Sequence, residues 1–142
     1  MNDLKILAVK TSWSYVMRDA EEAGTLFYRK LFQLDPSLRL LFKHDIDAQA
    51  GKLTDMVTYI IARLQHMDDI ERVITALATR HVQYGTKREH YRTVGEALLG
   101  TLETMLGDRW DDHTRTAWAE VYGLVANTMI NAENGLESVP EN

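Results

Sequence analysis

LTDMVTYIIARL, residues 53–64, carries its apolar side chains at Leu53, Met56, Val57, Ile60, Ile61 and Leu64. Counted from Leu53, these are steps 0, 3, 4, 7, 8 and 11, the stripe that one face of an α-helix presents. The pattern recurs outward from this stretch. Residues 94–106 place Val94, Ala97, Leu98, Leu102, Met105 and Leu106 on one face. Residues 118–129 do the same with Trp118, Val121, Tyr122, Val125 and Met129, and residues 23–34 with Ala23, Leu26, Phe27, Leu31 and Leu34. No segment sustains the alternation that a half-buried strand needs. The chain reads as all-α.

The punctuation agrees. Asp35-Pro36 pairs an N-cap with a proline at the first helical position, so a short helix starts there. Gly85 ends the helix that holds His81. Gly107-Asp108 parts two long helices, and Asp111 or Asp112 caps the second. The expected helices cover about 3–17, 19–34, 36–41, 48–66, 69–84, 88–106 and 111–133, with 134–142 a polar, frayed tail. No linker or repeat divides the chain, so residues 1–142 read as one domain. Seven helices of such unequal length fit crossings at about 50° around an interior pocket better than an up-down bundle. Gly24, in a helix middle, makes sense where another backbone lies against it, with Ala50-Gly51 as the facing small patch. The alternative is a tolerated surface glycine.

Composition removes whole classes of function. The 142 residues include no cysteine, which excludes disulfides, thiolate zinc, iron–sulfur clusters and thiol catalysis. Sixteen basic against 21 acidic residues give a net charge of −5, a poor match for nucleic acid or anionic membrane. The N-terminal MNDLKILAVKTSW is interrupted by Lys5 and Lys10 and carries no small-residue cleavage site. No window reaches 18 consecutive apolar residues. A cytoplasmic protein is the expectation.

Five histidines remain: His44, His66, His81, His90 and His113. None of them pairs at the i, i+4 spacing of a helical zinc site, and no carboxylate trio joins them. A metal held by several side chains is therefore a poor fit. A cofactor that brings its own metal and equatorial ligands needs only one axial histidine, and haem is that case. His81 is the best axial candidate. It follows Leu77 by one turn and precedes Tyr84 on an apolar stripe, and Leu77 can pack against a ring face. Tyr91 lies ten residues on, with Val94 and Leu98 on its face, and Phe42 in LLFKHD can wedge against a flat ring.

Taken in order, the segments LFYRKLF (26–32), DPSLRLLF (35–42), QAGKL (49–53), RHVQYG (80–85), HYRTVGEALL (90–99) and AWAEVYG (117–123) resemble the bacterial single-domain globins related to flavohaemoglobin globin domains, and are similar to neuroglobin. The likeness spans about residues 4–133. It implies a globin fold of about seven helices crossing around a pocket for haem b, iron protoporphyrin IX. Phe42 and His81 fall on the two positions globins use most stringently, and Gln49 precedes His81 by the 32 residues this family sets between distal residue and proximal histidine. By resemblance, His81 is the iron ligand. Tyr91 and Glu133 complete a proximal network that fixes the imidazole tautomer and raises its basicity. A more basic ligand favours peroxide-type bond breaking. The alternatives are a packed aromatic at 91 and a solvated charge at 133.

Across the ring the resemblance places Tyr28, Gln49 and Leu53. Bound dioxygen carries superoxide-like charge, and a donor to it is worth roughly 1.5–3 kcal/mol, about tenfold to over a hundredfold in affinity. Leu53 supplies a dry wall. Tyr28 can instead be an interhelical aromatic and Gln49 a surface residue. The pair departs from neuroglobin and vertebrate carriers, which have a distal histidine; Lys52 or Tyr28 is a minor option for an internal sixth ligand. Lys52, Arg80 and Lys87 can meet the haem propionates or stand as surface charges. Trp118 and Tyr122 read as core, the tyrosine also contacting the proximal helix in the family, and Trp13 anchors the first helix. The other four histidines read as surface or interhelix residues.

Reversible dioxygen binding is the leading functional expectation. Nitric oxide dioxygenation to nitrate is the enzymatic alternative, and a haem-based sensor or haem-free interaction domain is a third. Dioxygen, nitric oxide and carbon monoxide are the expected ligands. No G-x-G-x-x-G motif is present, so turnover would call for a separate reductase. The chain is expected to be a monomer or homodimer.

Overall fold

The computed structural model describes residues 1–42, 45–83 and 88–138; side chains at 67–70, 80–83, 88, 133 and 135–138 are not among those described. Six α-helices are present among these residues: α1 (Asp3–Val16), α2 (Ala20–Leu34), α3 (Ile46–Ala62), α4 (Met67–Gln83), α5 (Arg88–Leu106) and α6 (Asp112–Ser138). Short 3-10 turns fill Met17–Asp19, Pro36–Leu41 and Gly107–Arg109.

The expected third helix is thus a 3-10 turn. Its start is the expected one: Pro36 sits in the first turn and the Asp35 carboxylate accepts from the Ser37 amide at 3.1 Å. Six residues leave little room for i→i+4 bonds, and the Leu38 amide closes on Asp35 O at 3.1 Å instead. α3 begins at Ile46 rather than 48 because Asp45 caps it through the Asp47 amide. It ends at Ala62 rather than 66 because the chain tightens, with Arg63 bonded to Ile60 O and His66 to Arg63 O. Gly107 takes φ +54°, a left-handed conformation that stops α5 as expected. Asp111, not Asp112, caps α6 by accepting from the Thr114 amide at 2.8 Å, which lowers its pKa. α6 runs on to Ser138, past the expected end at 133; the first proline after its start is Pro140, and nothing earlier in the sequence forces a stop.

Gly24 lets α2 and α3 touch. A Cβ built there would stand 2.7 Å from the Ala50 Cβ and 3.3 Å from the Ala50 backbone. The close crossing and the facing small residue are those expected; Gly51 itself is exposed and touches nothing within 4 Å. On the other side, the rings of Trp13 and Trp118 lie 5.6 Å apart. Trp118, 1% exposed, donates to Ser12 Oγ at 2.8 Å, and Trp13 donates to Thr58 Oγ1 at 2.9 Å. These bonds tie α1 to α6 and to α3 and satisfy the only polar atoms the two indoles carry.

What positions the site is a division of partners. α3 packs on α2 and touches α1, whereas α4 packs on α6. Among the described residues, α3 and α4 share almost no contact although they are consecutive. α5 crosses behind both sides, on α2, α6 and α1. α3 and α4 are thus held mainly by different neighbours, α2 and α6, and α5 touches both of these.

Candidate functional site

The core divides into two apolar clusters, and α3 contributes to both, with Ala50 in one and Ile60 and Ile61 in the other. Phe27, Tyr28, Leu31, Leu38, Ala50 and Ala97 are buried together, with Phe42, Leu53 and Val94 packed against them. Tyr91, Ile74, Ala78 and Met129 belong to the other cluster, with Leu77 packed against it. Leu98 touches both. Tyr28 and Leu53, expected across the ring, thus pack in one cluster with Phe42 and Val94, while Leu77 and Tyr91, expected near the axial histidine, fall in the other.

Tyr28 is the polar centre of the distal cluster. It is 6% exposed, and burial pushes its phenol up to about 12. The hydroxyl is therefore a neutral donor at any physiological pH. Its ring is held edge-on by Phe27 at 5.0 Å and by Phe42 at 5.3 Å. The hydroxyl forms no hydrogen bond with a described residue, yet no side-chain oxygen or nitrogen among the described residues is both fully buried and unpartnered. The Tyr28 oxygen therefore opens onto accessible space.

Gln49 sits on α3 next to buried Ala50 and is half-buried. It shares no hydrogen bond with Tyr28. Leu53 lies one turn further along, half-buried against the distal cluster. Lys52 is exposed, as a propionate partner or a plain surface charge would be. In the other cluster Tyr91 is buried, and its carbonyl accepts from the Tyr122 hydroxyl. That contact needs Gly95: a Cβ there would fall 2.7 Å from the Tyr122 ring. Burial raises the Tyr122 pKa, with the Gly95 amide pulling in the opposite direction. His81 lies on α4 one turn after Leu77, and Glu133 lies on α6, but the side chains of Arg80, His81 and Glu133 lie outside the described set. Lys87, Tyr84, Gly85 and His44 lie wholly outside it. Of the remaining histidines, His66 and His113 are exposed and His90 is half-buried. No group of three metal-ligating side chains occurs among the described residues.

Three contributors were missed in the sequence. Phe27 and Phe32 flank Tyr28 in LFYRKLF, where a 3.6-residue period merely reads them as core. Gly95 carries no signal beyond being a glycine in a helix, the same signal that flagged Gly24.

The Globin family model matches residues 25–129. The chain belongs to the globin family. A flavohemoprotein of Chromobacterium violaceum is 35% identical over 113 residues, covering 78% of this globin and 28% of the relative. Flavohemoprotein A of Dictyostelium discoideum is 31% identical over 118 residues, covering 82% and 30%. This globin thus spans about a third of the length of the curated relatives it matches. A solved bacterial globin from Campylobacter jejuni superposes with a TM-score of 0.85 at 24% identity, over 97% of this globin and all of that chain, and shares its fold.

Globins bind haem. The apolar side chains that would suit a flat ring come from several helices: Phe42, Leu53 and Val94 pack with one cluster, Leu77 with the other and Leu98 with both. The Tyr28 phenol, a neutral donor with no hydrogen-bond partner among the described residues, sits on α2 in the cluster that Phe42 and Leu53 pack against. No helix among the described residues is long and apolar enough to cross a membrane.

Proposed function

We propose that this globin holds haem b between α3 and α4 with His81 as its axial ligand, and binds dioxygen reversibly. The observation that carries the reading is the buried Tyr28 phenol: kept protonated, without a hydrogen-bond partner among the described residues and packed against Phe27 and Phe42. Haem supplies a ferrous iron able to take up a diatomic ligand.

The protein's part follows from its own residues. Tyr28 donates toward a ligand that carries partial negative charge, in a low-dielectric pocket where such a bond is worth roughly 1.5–3 kcal/mol. Gln49 lends a second amide donor. Leu53 and Phe42 keep water from the ligand side and so slow oxidation. In this reading Tyr91 and Glu133 would serve the imidazole of His81, holding its tautomer and raising its basicity. Carbon monoxide and nitric oxide fit the same pocket.

The flavohemoprotein relatives, whose name joins a flavin to a haem, favour a second reading in which nitric oxide, dioxygen and one electron give nitrate. A flavin-bearing electron donor is then the partner. Stopped-flow oxygen release from the haem-loaded protein tests the first reading: Tyr28→Phe is expected to release oxygen about tenfold faster or more. An unchanged rate would remove Tyr28 as the donor. Steady nitric oxide consumption with a flavin reductase separates the two readings.

A further inference from the structure

Nothing polar among the described residues orients the Tyr28 hydroxyl. Its direction is set by the side chains packed around it, three aromatic rings among them. Two of these, Phe27 at 5.0 Å and 84° and Phe42 at 5.3 Å and 80°, meet it edge to face. The third is Phe32, one turn later on α2, 6.0 Å away and inclined by 36°. Phe32 also packs 5.6 Å from Phe42 at 72°, so it touches both rings at once. Like Phe42 it is half-buried, and the Arg39 guanidinium lies over it at 5.3 Å from the ring centre.

We infer that Phe32, backed by Arg39, is a positioning residue: it is the outer stop that fixes the plane of Tyr28 and so aims its hydroxyl. The inference rests on the reading of Tyr28 as the ligand donor. The second torsion of a tyrosine is broad, so a ring with an unpaired hydroxyl is restrained mainly by packing. Hydrogen bonds weaken steeply as their angle departs from linear. A donor held by three rings keeps its angle at no cost when the ligand arrives; a donor with one wall removed must be ordered each time. Edge-to-face contacts with Phe27 and Phe42 each permit some tilt, whereas Phe32 closes the remaining side by contacting both Tyr28 and Phe42. Arg39 covers the solvent side of Phe32. Being exposed, its cation–π contact is weak and salt-sensitive.

The test uses the haem-loaded protein and four variants: Phe32→Leu, Phe32→Met, Tyr28→Phe and the Phe32→Leu/Tyr28→Phe pair. Phe32→Met nearly preserves volume and guards against a folding failure of Phe32→Leu. Both Phe32 variants are expected to speed oxygen release roughly threefold to tenfold, part of the Tyr28→Phe effect. In the Tyr28→Phe background the Phe32 change is expected to add almost nothing. The carbon monoxide stretching band should broaden and move toward its position in Tyr28→Phe, and the Tyr28 ring, followed by NMR in labelled protein, should flip faster. Arg39→Gln should act in the same direction, more weakly. Wild-type release rate and band in both Phe32 variants would overturn the inference, as would a Phe32 effect that persists in full without the Tyr28 hydroxyl. Should Tyr28→Phe itself leave oxygen release unchanged, the donor reading fails, and the ring-flip rate decides positioning alone: faster flips uphold it and unchanged flips overturn it.

Discussion

Replacing Gly24 with alanine puts a methyl carbon 2.7 Å from the Ala50 Cβ and 3.3 Å from its Cα and carbonyl oxygen. Carbon atoms rest about 3.5–4.0 Å apart, so the overlap is about 1 Å. Two of the three obstacles are backbone, so no rotamer change relieves it; α2 and α3 must separate. Overpacking costs about 1–3 kcal/mol, and against backbone the upper part, about 2–3 kcal/mol, applies; the better helix propensity of alanine returns about 1 kcal/mol. The net expectation is a loss of about 1–2 kcal/mol, a fall in Tm of about 3–8 °C. The damage reaches the site, because Tyr28 follows Gly24 by one turn while Gln49 and Leu53 flank Ala50. Urea denaturation of the haem-free and haem-loaded protein reads the first effect and oxygen release reads the second. Gly51→Ala is the control: nothing lies within 4 Å of it, so it should be neutral or gain up to about 1 kcal/mol. Adding Ala50→Gly should relieve Gly24→Ala, with a coupling of about 1–2 kcal/mol. A Gly24→Ala protein as stable as the parent, or one that Ala50→Gly fails to relieve, would refute the close crossing.

Other expectations follow from single contacts. Ser12→Ala strands the indole N–H of fully buried Trp118 and should cost about 1–3 kcal/mol in denaturant melts. Gly95→Ala drives a methyl into the Tyr122 ring and should weaken its bond to the Tyr91 carbonyl, so Tyr122→Phe should lose less stability in that background than in the parent. Tyr28 keeps its proton up to about 12 when folded, against 10.0 for the free phenol. Its contribution to stability is therefore full below pH 10.0 and lost as pH rises toward 12. The fall in stability over that window should be shallower in Tyr28→Phe.

Helix existence was legible because four amphipathic stripes repeat the same spacing, and the boundary signals at Asp35-Pro36, Gly107 and Asp111 act through the caps and the left-handed turn their chemistry predicts. Helix ends were less so. Asp45 was overlooked as a cap because the short KHD segment before it gives no apolar register, and the close of α3 is decided by i→i+3 bonds that no residue type announces. The 3-10 form of Pro36–Leu41 reflects its length more than its composition. At the site, Phe42 was nameable from its place just past the short helix, Val94 from its apolar face, and Tyr28 and Leu53 from the family resemblance, and the structure packs all four into one cluster. Phe27 and Phe32 were not, because their role depends on how three rings tilt against a fourth, which a one-dimensional period does not encode. Gly95 matters only through Tyr122, a residue 27 positions later on another helix.

The central claim is that the imidazole of residue 81 holds the iron from the α4 side. Resonance Raman spectra of the ferrous, ligand-free protein test it most directly. The wild type should show an iron–histidine stretching band that disappears in His81→Gly and returns when free imidazole is added. An unchanged band in His81→Gly without imidazole, or no uptake of hemin by the wild type, would contradict the account.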